Sequence, residues 1–238
     1  MLVPITRQKF EQLIPLIATG PQYAYVWGQL PDFLKRLLIS VIAIVVVLLL
    51  KLFFGEAFDG LGLLLGIIAA LYWLWSPIYW ATLRNLEMRR YPYSGFWRGQ
   101  VVDVYVTEEL IGTEETVNNR GELVIVENRE RRLNLDVEDE TGFATQLQVP
   151  LRRTHKGIAA GQIAEMLVLS YQPDLGRIAK ITDIYIPSLN RWVSDYPYLQ
   201  RESFVQVSRK LSKVDSDDYR EERVVKTRRR RRKTDSGF

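Results

Sequence analysis

The sequence of 238 residues contains no cysteine and a single histidine, His155. Without cysteine the chain forms no disulfide bond, no thiolate metal site and no iron–sulfur cluster, and it has no thiol nucleophile. One histidine also excludes a histidine-rich metal site. His155 lies in the basic segment RRTHKG, so we expect a surface-loop residue whose pKa is lowered by the neighbouring cations.

Catalytic sequence motifs are also missing. There is no P-loop, no glycine-rich dinucleotide fingerprint after a strand, no HExxH and no GxSxG. Carboxylates occur in runs, at 108–109 and 138–140, but neighbours on a strand face opposite sides, so solvated faces and turns explain them. We therefore expect no catalytic residue, no cofactor and no metal site, and a protein that is not an enzyme.

Two long apolar runs dominate the first third of the chain. Residues 37–54 carry one charge, Lys51, which reaches the membrane surface from a helix end, and residues 61–83 carry none. As helices, both runs are long enough for a hydrocarbon layer of about 30 Å. The segment between them, GEAFDG at 55–60, only allows the chain to turn back. We predict a transmembrane helical hairpin over 36–84. Its expected contact face consists of small residues: Gly62, Gly66, Ala69 and Ala70.

The charges that flank the two runs indicate their orientation. Lys35 and Arg36 precede the first run and several arginines follow the second, whereas the connecting loop is acidic. The positive-inside rule then places both termini in the cytoplasm, or in the stroma of a plastid. Because no cleavage site is present, we expect an anchor and not a removed signal peptide. A kink is expected at Pro77, within an aromatic belt: Tyr72, Trp73, Trp75, Tyr79 and Trp80.

Residues 1–35 are predicted to form short helical pieces at the membrane interface. Thr6 can cap a helix whose apolar face contains Phe10, Leu13 and Ile14. A second interpretation packs this helix on the protein's own folded domain.

From residue 97 to about 200 the apolar period changes to two, as in half-buried strands. The alternation runs through 102–106 and is clearest from Leu133 to Val137, with turn sequences at 118–121 and 138–142. Five to seven short antiparallel strands predict a small β-barrel, OB-like or SH3-like, with a two-layer sandwich as the alternative. The fold class is therefore an α+β membrane protein with a hairpin, a small antiparallel barrel and a tail.

The tail, residues 201–238, carries a net charge of +6, whereas residues 1–200 carry −2. Its high charge and lack of apolar periodicity predict disorder. A cationic run in this tail is a candidate site for polyanions such as lipid, RNA or an acidic protein: Arg228, Arg229, Arg230, Arg231, Arg232 and Lys233.

A basic and aromatic connector, residues 85–96, joins the hairpin to the barrel. Its arginines lie near the predicted membrane surface and alternate with aromatic side chains, which suits an anionic lipid interface. Two interpretations stay open, a structural collar that holds the barrel against the membrane and a docking surface for a partner subunit. The candidate docking residues are Arg84, Arg89, Arg90, Tyr91, Tyr93, Phe96, Trp97 and Arg98.

The segment 76–105 resembles a little-studied family of cyanobacterial and plastid membrane proteins, sometimes labelled phosphate-transporter permease-like. The resemblance implies an integral thylakoid membrane protein that acts as an accessory factor in photosystem II assembly. The permease label conflicts with the sequence. Transport paths usually need ionisable side chains inside the membrane, and the only one in the two predicted spans is Lys51. The matching residues are Asn85, Leu86, Glu87, Arg89, Arg90, Tyr91, Pro92, Tyr93, Gly95, Trp97 and Arg98.

Together with this resemblance, the sequence predicts a non-enzymatic, membrane-anchored accessory or assembly factor that presents its β-domain on the cytoplasmic or stromal side. Its expected partners are membrane lipid and protein subunits of a complex, first of all photosystem II. One alternative is a membrane-tethered module that binds RNA or ribosomes, although the acidic balance of 97–192 disfavours it. The other alternative is an auxiliary subunit of a transporter.

Overall fold

The computed structural model describes residues 1–117, 121 and 123–212. The chain is a mixed α+β protein with one long apolar helix near its N-terminus and an open antiparallel sheet. It divides into two units, Met1–Leu199 and Gln200–Phe238. In the second unit a helix, α6, occupies 201–212, so the prediction of disorder is wrong for these residues. The cationic run at 228–233 lies outside the described residues.

The helices of the first unit are α1 Arg7–Leu13, α2 Gly20–Trp27, α3 Leu30–Phe54, α4 Asp59–Ala70 and α5 Tyr72–Arg89, with a 3₁₀ turn at Gly55–Phe58. The strands are β1 Leu2–Pro4, β2 Tyr93–Val117, β3 Leu123–Glu138, β4 Ala144–Pro150, β5 Ile163–Ser170, β6 Ile178–Ile181, β7 Ile184–Ile186 and β8 Arg191–Val193. A second 3₁₀ turn at Arg153–His155 follows β4.

The N-terminal segment is tied to the sheet. Thr6 caps α1, because its hydroxyl accepts a hydrogen bond from the backbone N–H of Lys9 at 3.4 Å. Phe10, Leu13 and Ile14 are buried, as the predicted apolar face requires. The sequence did not reveal β1, which pairs with β2 so that Leu2 lies opposite Trp97.

The second apolar run does not form one straight helix. α4 and α5 are bent by 73° relative to each other, with the break at Leu71. This break was not expected from the sequence, and Pro77, where the sequence predicts a kink, lies inside α5 on its buried face. The break is stabilised from α3, where the hydroxyl of Ser40 accepts a hydrogen bond from the N–H of Trp73 at 3.3 Å.

The sheet is antiparallel throughout, in the order β4-β3-β2-β5-β7-β8, with β1 beside β2 and β6 beside β5. The described pairings leave β4 and β8 as the two ends of an open path. Both ends nevertheless contribute to a single core, since Val149 of β4 and Val193 of β8 belong to the same buried cluster as Trp97 and Met166.

A β-bulge decides which side chains of β2 reach this core. The register shifts between Val101 and Asp103, so Val101 is buried and Val102 is exposed. The strict alternation expected over 102–106 is therefore wrong, whereas Leu133 and its inward neighbours in β3 are buried as predicted. The predicted turn at 138–142 joins β3 to β4, and most of the one at 118–121 lies outside the described residues.

Candidate docking surfaces

The helices α3 and α4 expose their apolar side chains. Only 6% of the most apolar 18-residue stretch of α3 is buried, and Leu52 and Phe53 at its end are 82% and 88% exposed. A continuous apolar surface of this extent is rare on a protein surrounded by water. At the far end of the two helices, Lys51 and Asp59 form an ion pair at 2.9 Å.

A groove of about 330 Å³ separates parts of α3 and α4. Three of the small residues expected at the helix contact, Gly62, Gly66 and Ala70, line this groove together with Ile44 and Val47 of α3. A Cβ built on Gly66 would meet nothing within 4 Å. Gly62, Gly66 and Ala70 therefore face α3 across the groove, and at Gly66 there is room for a larger side chain.

The helix α5 has two different faces. Its buried side chains, Ser76, Pro77, Ala81, Asn85 and Met88, recur every three to four residues. Its exposed apolar side chains lie on the rest of the circumference, and they include Ile78, Tyr79, Trp80, Leu83 and Leu86. Of the aromatic belt predicted from the sequence, Tyr79 and Trp80 are exposed, whereas Tyr72, Trp73 and Trp75 are half-buried.

A reciprocal amide pair attaches α5 to α2. The side-chain NH₂ of Gln22 donates to Asn85 Oδ1 and that of Asn85 donates to Gln22 Oε1, both at 2.9 Å. Gln22 also donates to the carbonyl of Tyr198 at 3.2 Å. Both amides are fully buried, so each polar group depends on its partner.

Four of the predicted docking residues are exposed or half-buried: Arg84, Arg90, Tyr91 and Tyr93. The guanidinium of Arg84 lies 4.8 Å from the centre of the Tyr196 ring, and Arg90 and Tyr93 are exposed. Tyr91 is half-buried beside Tyr171, with 4.9 Å between ring centres. Burial, and then the hydrogen bond to Tyr171, raise the pKa of Tyr91.

The other four predicted docking residues make contacts within the protein, and the assignment to an accessible surface is wrong for the two aromatic ones. Phe96 and Trp97 are fully buried because they lie in β2, between β1 and β5. Arg89 is directed at the end of α1, donating to the carbonyl of Ile14 at 2.9 Å and pairing with Glu11 at 3.0 Å. Arg98 pairs across the strands with the buried carboxylate of Glu165 at 3.1 Å.

Trp97 is fixed by a buried carboxylate. Its indole N–H donates to Asp139 Oδ2 at 2.8 Å. Burial opposes ionisation of Asp139, but hydrogen bonds from the Thr141 hydroxyl and from the backbone of Thr141 and Phe143 leave its pKa lowered. Asp139 therefore accepts hydrogen bonds as a carboxylate at the β3–β4 turn and does not act as a proton donor.

A cluster of tyrosines and cations, absent from our sequence predictions, lies beside Arg84. Tyr196 and Tyr198 are 4.7 Å apart between ring centres, and burial is the first cause that raises the pKa of each. Burial alone would lower the pKa of Lys180, but its hydrogen bond to Glu87 at 3.1 Å leaves it raised. The only sequence signal for this cluster is the YPYL segment, which lacks periodicity.

His155 is not the surface residue expected. It is buried in the 3₁₀ turn Arg153–His155, which contacts β8, and its Nδ1 accepts from the N–H of Arg152 at 3.4 Å. Burial is the main cause that lowers its pKa, with the charge of Arg152 second. Over residues 1–117, 121 and 123–212, no group of three His, Asp or Glu side chains is arranged to hold a metal ion.

The hairpin of β2 and β3 extends beyond the rest of the sheet. In the described chain, β2 pairs with β5 over Tyr93–Gln100 and β3 pairs with β4 over Arg132–Glu138. Residues 108–117 and 123–131, which we call the ribbon, pair with each other. At its outer end Leu123 and Ile125 are 75% and 66% exposed.

The comparisons with known proteins assign a family. Residues 3–221 match the model of a family of unknown function, DUF8619. No curated protein and no solved structure matches the chain.

Proposed function

We propose that this protein, which belongs to the DUF8619 family of unknown function, is a non-enzymatic accessory or assembly factor. In this proposal it consists of a membrane anchor and a docking domain. The observation that carries the proposal is the exposed apolar surface of α3 beside a sheet that encloses its own core. The proposed location in a thylakoid membrane, with photosystem II as the complex, rests on the resemblance of segment 76–105.

In this proposal α3 crosses the bilayer and α4 returns beside it as a hairpin. The 25 residues of α3 span about 37 Å, whereas the 12 residues of α4 span about 18 Å. The hydrogen bond from Trp73 to Ser40 brings the start of α5 to the third turn of α3. Because α4, at about 18 Å, is shorter than a hydrocarbon layer of about 30 Å, we propose that the bilayer is thinned beside α4 and that the polypeptide leaves the hydrocarbon at the 73° bend, where α4 ends.

The helix α5 then follows the membrane surface. Inclined by 73° to α4, its 18 residues would rise only about 8 Å along the axis of α4. This inclination suits an interfacial helix with Tyr79, Trp80 and Leu83 in the headgroup region. Both termini and the sheet would then lie on the cytoplasmic or stromal side.

We also propose that the sheet closes as a small barrel. A flat sheet with neighbouring strands about 4.8 Å apart would hold its first and last strands too far apart to share a core. Two observations support a curled sheet. β4 and β8 contribute to the same core, and the turn Arg153–His155, which follows β4, contacts β8 and would fill the gap between these two end strands.

The natural absence of cysteine makes a topology test direct. We expect Glu56→Cys, at the turn between α3 and α4, to react with a membrane-impermeant maleimide added outside sealed inside-out thylakoid vesicles, whose outer surface is the lumenal one. Asp174→Cys, in the sheet, should react only after the vesicles are opened. Labelling of both positions on the same side, or release of the protein by alkaline carbonate, would contradict the anchored hairpin.

Affinity purification from detergent-solubilised membranes tests the accessory role. We expect photosystem II subunits to copurify in constant proportion to the protein. Ribosomal components that are lost after RNase treatment would instead support the RNA-binding alternative, and permease subunits the transporter alternative. Turnover of a small metabolite by the purified protein would contradict the non-enzymatic role.

A further inference from the structure

The ribbon exposes apolar side chains on both of its faces. Residues directly opposite in an antiparallel pair share a face, so Val117 with Leu123 and Glu115 with Ile125 lie on one side. Val124, opposite Thr116, lies on the other side and is exposed as well. No further strand of the described chain pairs with either edge of the ribbon.

Such a ribbon has little stability of its own. A two-stranded hairpin in water is marginally stable, and open strand edges promote association. Ion pairs support its inner end, where Arg131 meets Glu108 at 3.3 Å and Arg132 meets Glu109 at 2.7 Å. The outer end, with Ile125 and its apolar neighbours, gains most from being covered by another molecule.

Charge and hydrogen bonding restrict what that molecule is. Residues 108–131 contain seven glutamates and three arginines, a net charge of −4. An anionic lipid surface or the ribbon of a second copy would repel this charge. Insertion into hydrocarbon is also excluded, because the open edges would leave backbone N–H and C=O groups without partners.

We propose that the ribbon is a docking arm for a protein partner whose surface has an apolar groove bordered by lysine and arginine side chains. The apolar outer end fills the groove. Glu115 faces the basic border together with Glu127, which also pairs with Arg129 of the ribbon at 2.8 Å. This inference rests on the proposed accessory function and names the chemistry of the surface that the partner offers.

The test places a photo-crosslinking amino acid at Ile125 and, as a matched control, at Asp174 in an exposed loop of the same sheet. In native membranes we expect a protein adduct from position 125 only. The crosslinked peptide should contain apolar residues next to lysine or arginine. In Glu115→Lys/Glu127→Lys we expect at least a tenfold loss of the adduct, whereas Glu138→Lys/Glu140→Lys, with the same change of charge, should retain it.

Three results would overturn the docking arm: an adduct with lipid, an adduct with a second copy of this chain, or an adduct that charge reversal leaves unchanged. The failure of the proposed function is a separate result. If the ribbon is not a docking arm but the accessory role is right, the Ile125→Asp variant still copurifies with the complex. If the accessory role itself is wrong, neither Ile125→Asp nor the unaltered chain copurifies with a membrane complex.

Discussion

The helix α3 and the sheet use similar apolar residues in opposite ways. In the sheet, Trp97, Leu135 and Met166 are fully buried, whereas in α3 the side chains of Leu48 and Val46 are about half exposed. Apolar surface is removed from water by the protein itself in the sheet and, in our proposal, by lipid around α3. The same residue type therefore contributes to unfolding stability in one region and to membrane insertion in the other.

The largest expected effect is a difference in unfolding free energy between the alanine variants of two tryptophans. Trp97→Ala removes a buried ring and leaves Asp139 without its indole partner, so we expect a loss of about 3–5 kcal/mol in the free energy of unfolding. Trp80→Ala, on the exposed face of α5, should change it by less than about 0.5 kcal/mol. Guanidinium unfolding of the detergent-solubilised protein, followed by far-ultraviolet circular dichroism, measures both. Equal losses would remove the distinction between the two regions.

The next prediction concerns α3. Val46→Lys introduces a charge near the middle of the apolar helix, at an expected cost of about 2.5–3.5 kcal/mol for insertion. We expect at least a tenfold lower ratio of pelleted to released protein after alkaline carbonate washing. Val46→Leu is the control and should behave as the unaltered chain. Unchanged membrane retention of the lysine variant would argue against lipid around α3.

The amide pair between α2 and α5 joins the two regions. Asn85→Leu leaves the buried Gln22 amide partly unpaired, and we expect a loss of about 1–3 kcal/mol in unfolding stability. Gln22→Leu should cost at least as much, because Gln22 also bonds to Tyr198. The double variant should lose less than the sum of the two single losses. Strict additivity in this double-mutant cycle would show that the amides do not act as a pair.

The smallest expected effect is a pH dependence of the sheet. Because the pKa of His155 is lowered on folding, the unfolded chain binds a proton first, below about pH 6.5. The free energy of unfolding should therefore fall as the pH decreases from about 6.5 to 5. His155 is the only histidine, so His155→Gln should flatten this slope. A slope that persists in the variant would assign it to another group.

The sequence predictions succeeded where one local pattern decides the structure. The apolar run at 37–54, the capped helix after Thr6 and the inward alternation around Leu135 each depend on side chains close in sequence. Two of the predicted docking residues are wrong for the opposite reason. Phe96 and Trp97 look like interfacial aromatics in the sequence, but long-range pairing of β2 with β1 and β5 buries them.

Other features also depended on distant contacts. The break at Leu71 is accompanied by a hydrogen bond from the Trp73 N–H to Ser40, and no residue between 61 and 83 indicates the break as strongly as Pro77 indicates a kink. The burial of His155 depends on β8, which follows it by more than thirty residues. The ribbon was expected to be an ordinary pair of half-buried strands.

The sequence by itself determined the α+β composition, the long apolar helix and most of the strands. These follow from hydrophobic periodicity and local capping, which act over one or two turns of chain. Only the tertiary structure decided which aromatics and cations remain accessible, where the second apolar run breaks and how far β2 and β3 extend as a ribbon. Those outcomes depend on pairing between residues far apart in sequence, whose free energy no local pattern contains.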